Sequence, residues 1–151
     1  MRKSQNSKLT KPLLALAFLG AFVATPVAIA DDFVAGKIEV LEGKTGEKFT
    51  VVHAKPIERN QALIKIENTG SDWDGKVFFH EVQEVGRGKY DYVATIDGAT
   101  WRTLLVRSGG SYMEVWVKGI KDPFVVHFDK ADTEKANARS IVSDYQKSVK
   151  K

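Results

Sequence analysis

The sequence predicts an all-β domain, an antiparallel barrel or sandwich of about eight strands, with one C-terminal helix. Three observations carry this. Apolar residues alternate with period two through most of residues 34–128. Turn residues separate the alternating runs at short, regular intervals. Only the final segment changes period, to spacings of three and four.

The strands follow in order. Val34, Ile38 and Val40 fall on one face of a first strand. Phe49, Val51 and Val52 begin a second. Ala62, Ile64 and Ile66 line one face of a third, with Lys65 and Glu67 opposite. The turn Asn68-Thr69-Gly70-Ser71-Asp72 leads to a fourth, from Val77 to Val85. Gly86-Arg87-Gly88 turns the chain into a fifth strand, where Tyr90, Tyr92, Ala94 and Ile96 share a face. Asp97-Gly98 is a hairpin signal. Trp101 to Arg107 makes the sixth strand, Ser111 to Lys118 the seventh, and Phe124, Val126 and Phe128 mark the eighth. The predicted core includes Ile64, Ile66, Val115, Val117, Phe124 and Val126. Ala138, Ile141, Val142, Tyr145 and Val149 then form one helical stripe, with Asp129 or Asp132 as its candidate cap.

The N-terminus reads as an export signal. Arg2, Lys3, Lys8 and Lys11 precede an apolar run from Leu13 to Val23, and Ala28-Ile29-Ala30 fits a small-x-small cleavage site. The run is shorter than the roughly 20 residues of a comfortable membrane span. Residues 1–30 are therefore expected to be a cleaved signal peptide. The mature chain would be a single domain, 31–151, free in a Gram-negative periplasm and without a membrane anchor.

Cleavage changes the charge balance. Four of the 23 basic residues and none of the 19 acidic ones lie in residues 1–30, leaving a mature chain with 19 of each sign. Bulk charge thus gives no argument for nucleic acid. The absence of cysteine excludes a thiol nucleophile, a zinc-thiolate site, disulfides and a lipid-bearing cysteine.

Catalytic and metal signatures are weak. His53, His80 and His127 have no ligand spacing, so neither metal nor cofactor is expected. Asp72-x-Asp74-Gly75 matches part of a calcium loop, lacks its remaining ligands, and reads better as a turn. No Gly-x-Ser-x-Gly elbow, His-Glu-x-x-His pair or phosphate loop occurs, and the chain is not expected to be an enzyme.

One hairpin stands out, Arg107-Ser108-Gly109-Gly110-Ser111-Tyr112 and the strand after it. Gly109-Gly110 can adopt positive φ and so form a narrow tip bare of large side chains. Strand parity puts Met113, Val115 and Val117 on one face and Tyr112, Glu114, Trp116 and Lys118 on the other. If the first face is core, the second displays two aromatics, an acid and a base beside the tip. The alternative buries Tyr112 and Trp116 and leaves the tip a simple turn.

Ser108-Gly109-Gly110-Ser111-Tyr112 resembles the Ser-Gly-x-x-Tyr signature of bacterial lysozyme inhibitors, and Trp116-Val117-Lys118-Gly119 resembles their Trp-x-Lys-Gly element. The likeness in residues covers about a dozen positions in this hairpin. C-type lysozyme inhibitors of the family usually carry disulfides, a longer gap between the tyrosine and the tryptophan, and no C-terminal helix. The chain is thereby more similar to the periplasmic inhibitors of invertebrate-type lysozyme. The resemblance implies an eight-stranded barrel and a host or environmental lysozyme as partner. It implies Ser108, Gly109, Gly110, Ser111, Tyr112 and Trp116 as the binding hairpin, with Lys118 a candidate charged contact. A thin tip of this kind suits a cleft that holds two carboxyl groups. The competing class is a carbohydrate- or peptidoglycan-binding module, with Trp116, Tyr112 and Trp73 or Trp101 as a stacking platform. A third is an envelope structural domain. A homodimer is left open.

Overall fold

The computed structural model describes residues 32–151, and the proposed signal peptide lies outside them. Eight strands pair antiparallel in chain order and close into a barrel, β8 returning to β1. They are β1 (Ala35–Gly43), β2 (Lys48–Ala54), β3 (Gln61–Glu67), β4 (Val77–Gly86), β5 (Lys89–Ile96), β6 (Ala99–Arg107), β7 (Tyr112–Val115) and β8 (Phe124–Asp129). The expected barrel-or-sandwich architecture is thus a barrel. Closure pairs every strand on both edges, so no open sheet edge remains among them.

Period two sorts the side chains as the sequence requires. Phe49 and Val51 of β2, Ile64 and Ile66 of β3, Tyr92, Ala94 and Ile96 of β5, and Val115 and Val126 fill the interior. Phe124 of the predicted core is only half-buried and packs its ring 5.9 Å from that of Phe49. A second core lies outside the barrel wall. Val52, Leu63 and Val77 point outward and are covered by Ile141, Val142 and Tyr145 of a helix. This explains why β2 and β3 are apolar on both faces. Val40 is also buried, but Val34 is exposed and precedes β1.

The C-terminal segment differs from expectation in one respect. It contains a short helix α1 (Lys130–Lys135) before the stripe-bearing α2 (Ala138–Val149), because Ala136 is extended and breaks the helix. Asp129 caps α1 by accepting from the Asp132 backbone, 2.8 Å. Asp132 caps nothing and binds Lys48 instead. The cap of α2 is Asn137, whose side-chain oxygen accepts from the Arg139 and Ser140 amides. Asn137→Ala should therefore cost about 1 kcal/mol, read as a lowered urea midpoint.

β7 ends at Val115 rather than running on to Lys118. β6 carries an irregularity at Thr103, between the pairs Tyr92–Leu104 and Val93–Arg102. Trp116 still donates to the Thr103 carbonyl at 2.7 Å, but Gly119 then turns at φ 83 and Pro123 has no amide to pair.

The up-and-down order fixes what each end displays. The β2–β3, β4–β5 and β6–β7 connections share the upper end. The β3–β4, β5–β6 and β7–β8 connections share the lower end.

Candidate functional site

Strand β6 delivers Ser108 to Ser111 at the upper end. Ser108, Gly109 and Gly110 all take positive φ, at 51°, 64° and 97°. Glycine adopts this region freely, whereas Ser108 does so at a cost of roughly 1–2 kcal/mol. The turn is tied down by its own bonds. Ser111 donates through its amide (3.4 Å) and its hydroxyl (3.0 Å) to the Ser108 carbonyl. It is also buttressed from the next hairpin, because the Gly109 amide donates to the Gly88 carbonyl at 2.9 Å. A Cβ on Gly88 would stand 3.0 Å from that amide, so only glycine allows this approach.

A buried ion pair anchors the base of the same turn. Asp91 faces outward from β5 yet is almost wholly buried, under Arg107 at 2.7 Å and Arg102 at 3.6 Å. Arg107 also donates to the carbonyls of Tyr90 and Val106. Gly88, Asp91 and Arg107 thus position the tip, a role that the sequence does not show for any of them, although Gly88 lies in a recognisable turn and Arg107 opens the hairpin. The Gly86-Arg87-Gly88 turn was visible as a turn, but nothing in one sequence pairs it with Gly109.

The structure chooses between the two faces that strand parity separated. Val115 and Val117 are buried, whereas Tyr112 and Trp116 are 44% and 37% exposed. Glu114 links the two aromatics, accepting from the Tyr112 hydroxyl at 2.9 Å and from the Trp116 indole at 3.0 Å. That hydrogen bond to the carboxylate raises the Tyr112 phenol above its usual range and keeps it protonated. The outer face of β7 therefore carries an ordered strip of aromatic, acid and aromatic.

Lys118 is not brought to the tip. It sits beyond β7 at the lower end and pairs with Asp97 of the β5–β6 turn at 3.1 Å. Six residues of extended chain span roughly 20 Å. The tip and Lys118 therefore mark opposite ends of one barrel side.

The platform tryptophans need correction. Trp73 is only 2% exposed and stacks edge-on against Trp101 at 5.2 Å, with Phe78 at 5.0 Å. Together they plug the lower end of the barrel, so neither Trp73 nor the half-buried Trp101 joins an exposed platform. Asp74 in the same loop accepts from the Thr69 amide and hydroxyl and the Gly70 amide, which makes Asp72-x-Asp74-Gly75 a self-bonded turn.

The upper end is open and polar. His53 on β2 faces Glu39 on β1, its Nε2–H donating to the carboxylate at 3.2 Å, and Lys37 pairs with the other oxygen at 2.7 Å. The His53 bond, aided by Lys37, holds the Glu39 carboxyl down at about 2 against the cost of burial. Tyr92 lies beside them, its ring 5.9 Å from that of His53. Burial, and then the nearby Glu39 charge, push its phenol well above the ordinary range. Deeper in the barrel, His80 is fully buried. Its Nδ1–H donates to the Phe78 carbonyl at 3.0 Å, while Nε2 meets no partner among the described residues. Burial lowers its pKa to about 4.

These two groups predict acid sensitivity. His80 is depressed below its unfolded value of about 6.5, so the unfolded chain binds the proton first. Its stabilising contribution is complete above about pH 6.5 and is lost as pH falls toward 4, an effect of roughly 3 kcal/mol. Glu39 acts lower, its contribution being present above about 4.5 and lost toward 2. Urea midpoints should fall steadily from pH 7 to pH 4, and His80→Gln should flatten that limb. An unchanged midpoint over the interval would contradict the assignment.

Among the described residues, no group of three or more His, Asp or Glu side chains could hold a metal ion. His127 stands exposed on the outside of β8. No known family model, no curated protein and no solved structure matches this chain.

Proposed function

We propose that this protein is an exported inhibitor of lysozyme, the invertebrate type in particular, and that it blocks the enzyme by seating the Ser108–Tyr112 tip in the active-site cleft. The observation behind the reading is that Ser108 and Tyr112 are both exposed on a turn held by its own hydrogen bonds and by the neighbouring hairpin. A tip already fixed in shape loses little conformational entropy when it docks, which is how a small contact can bind tightly.

The chemistry of each group fits its place. A lysozyme cleft presents two carboxyl groups about 5–9.5 Å apart. The Ser108 hydroxyl can donate to one of them. Tyr112 can fill a sugar subsite with its ring and exchange its Glu114 partner for a cleft acceptor. Trp116 extends the contact just past the end of β7. Lys118, at the far end, serves at most as a solvent-exposed charge at the rim. No bond in the inhibitor is made or broken, so the role is occlusion rather than catalysis.

A carbohydrate-binding surface is the second reading, and the exposed pair Tyr112 and Trp116 flanking Glu114 is what favours it. Co-precipitation separates the two. The mature protein should be captured by immobilised invertebrate-type lysozyme and pass through insoluble peptidoglycan. Retention on peptidoglycan without capture by lysozyme would move the sugar-binding reading ahead.

A further inference from the structure

The upper mouth of the barrel holds a cavity that the hairpin does not use. It measures about 490 Å³ and lies between the β2–β3 connection and the ends of β4 and β5. This is within the roughly 300–1,000 Å³ of ordinary ligand pockets. Its base is formed by His53 and Tyr92, both at least nine-tenths buried. Ile57, Val82 and the ring of Tyr90 give apolar walls, and Glu58, Asn60 and Gln61 complete the rim. A smaller cavity of about 210 Å³ adjoins Tyr90 and Tyr92 from the barrel side and reaches Gly110 of the tip.

The hydrogen-bonding capacity here is largely unspent. Tyr92 lines the cavity, and its hydroxyl has no hydrogen-bond partner among the described residues. His53 spends one ring nitrogen on Glu39 and keeps the other. Asn60 and Gln61 each offer a planar amide with both donors and an acceptor. Glu58 adds a carboxylate acceptor at the rim. Glu58 and Asn60 stand in solvent at the rim, so the cost of an unmet group falls on the base, where His53 and Tyr92 are buried.

We propose that this mouth is a binding site for a neutral pyranose ring. A pyranose has apolar C–H faces for the Tyr90 and Tyr92 rings and an edge of hydroxyls for the planar polar groups. A purely aromatic ligand would fill the walls but leave the Tyr92 hydroxyl at the buried base unpaired. An anion would meet Glu58 at the rim and Glu39 beyond the base. The site is separate from the Tyr112–Trp116 strip, which lies on the outer face of β7, and needs no lysozyme.

The test is a titration of isotope-labelled mature protein, followed by NMR, with glucose and N-acetylglucosamine as neutral pyranoses, choline as a cation and phenol as an aromatic. One or both sugars should shift saturably the signals of His53, Gln61, Tyr90 and Tyr92 while those of Tyr112 and Trp116 stay still. Tyr92→Phe, which keeps the ring and removes only the hydroxyl, should weaken the sugar at least fivefold. Gln61→Ala, at the rim, should do the same without threatening the fold. Saturation by choline or phenol alone overturns the assignment, as does sugar binding that moves only Tyr112 and Trp116. No response at the mouth to either sugar at 50-fold excess over the protein's concentration also overturns it.

Discussion

Tyr112→Ala should weaken inhibition of an invertebrate-type lysozyme by roughly tenfold to a thousandfold, about 1–4 kcal/mol, with an unchanged circular dichroism spectrum. The fold should not notice the loss, because Tyr112 is exposed and its hydroxyl touches only Glu114. The whole effect would therefore fall on the interface. Ser108 needs a pair of variants, since its backbone is left-handed at φ 51°. Ser108→Ala keeps the strain and removes the hydroxyl. Ser108→Gly removes the hydroxyl and relaxes the backbone. Equal losses in both assign the effect to the hydroxyl; recovery in Ser108→Gly would assign it to turn geometry. Lys118→Ala should cost less than tenfold, and that cost should vanish at high salt, because the ammonium is solvent-exposed, already paired with Asp97 and remote from the tip.

The second large effect is on stability. Trp73→Ala should destabilise the domain by about 3–5 kcal/mol, measured by urea unfolding at pH 7. Its ring is buried against Trp101 and Phe78 at the lower end of the barrel, so truncation leaves a large cavity in a packed interior. A midpoint equal to wild type would instead mean that Trp73 is a surface residue, as the stacking-platform reading of the sequence required. Trp116→Ala should by contrast cost under 1 kcal/mol, since its ring is partly in solvent and its indole bonds only Glu114.

The period-two pattern was enough to read an antiparallel β domain of eight strands, because each strand has a face that must avoid water. It could not separate barrel from sandwich: closure depends on β8 meeting β1, which local alternation does not encode. The break before α2 was also hidden. One apolar stripe runs from Ala138 to Val149, but the cap that starts it is Asn137, and the equally good candidate Asp132 is spent on Lys48. Parity separated the Tyr112 and Trp116 face from the Val115 and Val117 face but left open which one is buried, and the structure buries the second. What the sequence left out was contact across hairpins. The Gly88–Gly109 bond, the Asp91–Arg107 pair and the Glu39–His53–Tyr92 group each join residues more than ten apart. Lys118 shows the converse, since six residues from Tyr112 in an extended segment put it at the other end of the molecule.

The central claim is that an exposed, pre-shaped tip occludes a lysozyme cleft. A turbidity assay of bacterial cell-wall lysis tests it most directly, with a chain of residues 31–151 titrated against invertebrate-type and C-type lysozymes. The account predicts dose-dependent, reversible loss of lysis at or below micromolar inhibitor, stronger for the invertebrate type and largely abolished by Ser108→Ala combined with Tyr112→Ala. Folded wild-type protein that leaves both enzymes fully active at micromolar concentration would contradict it.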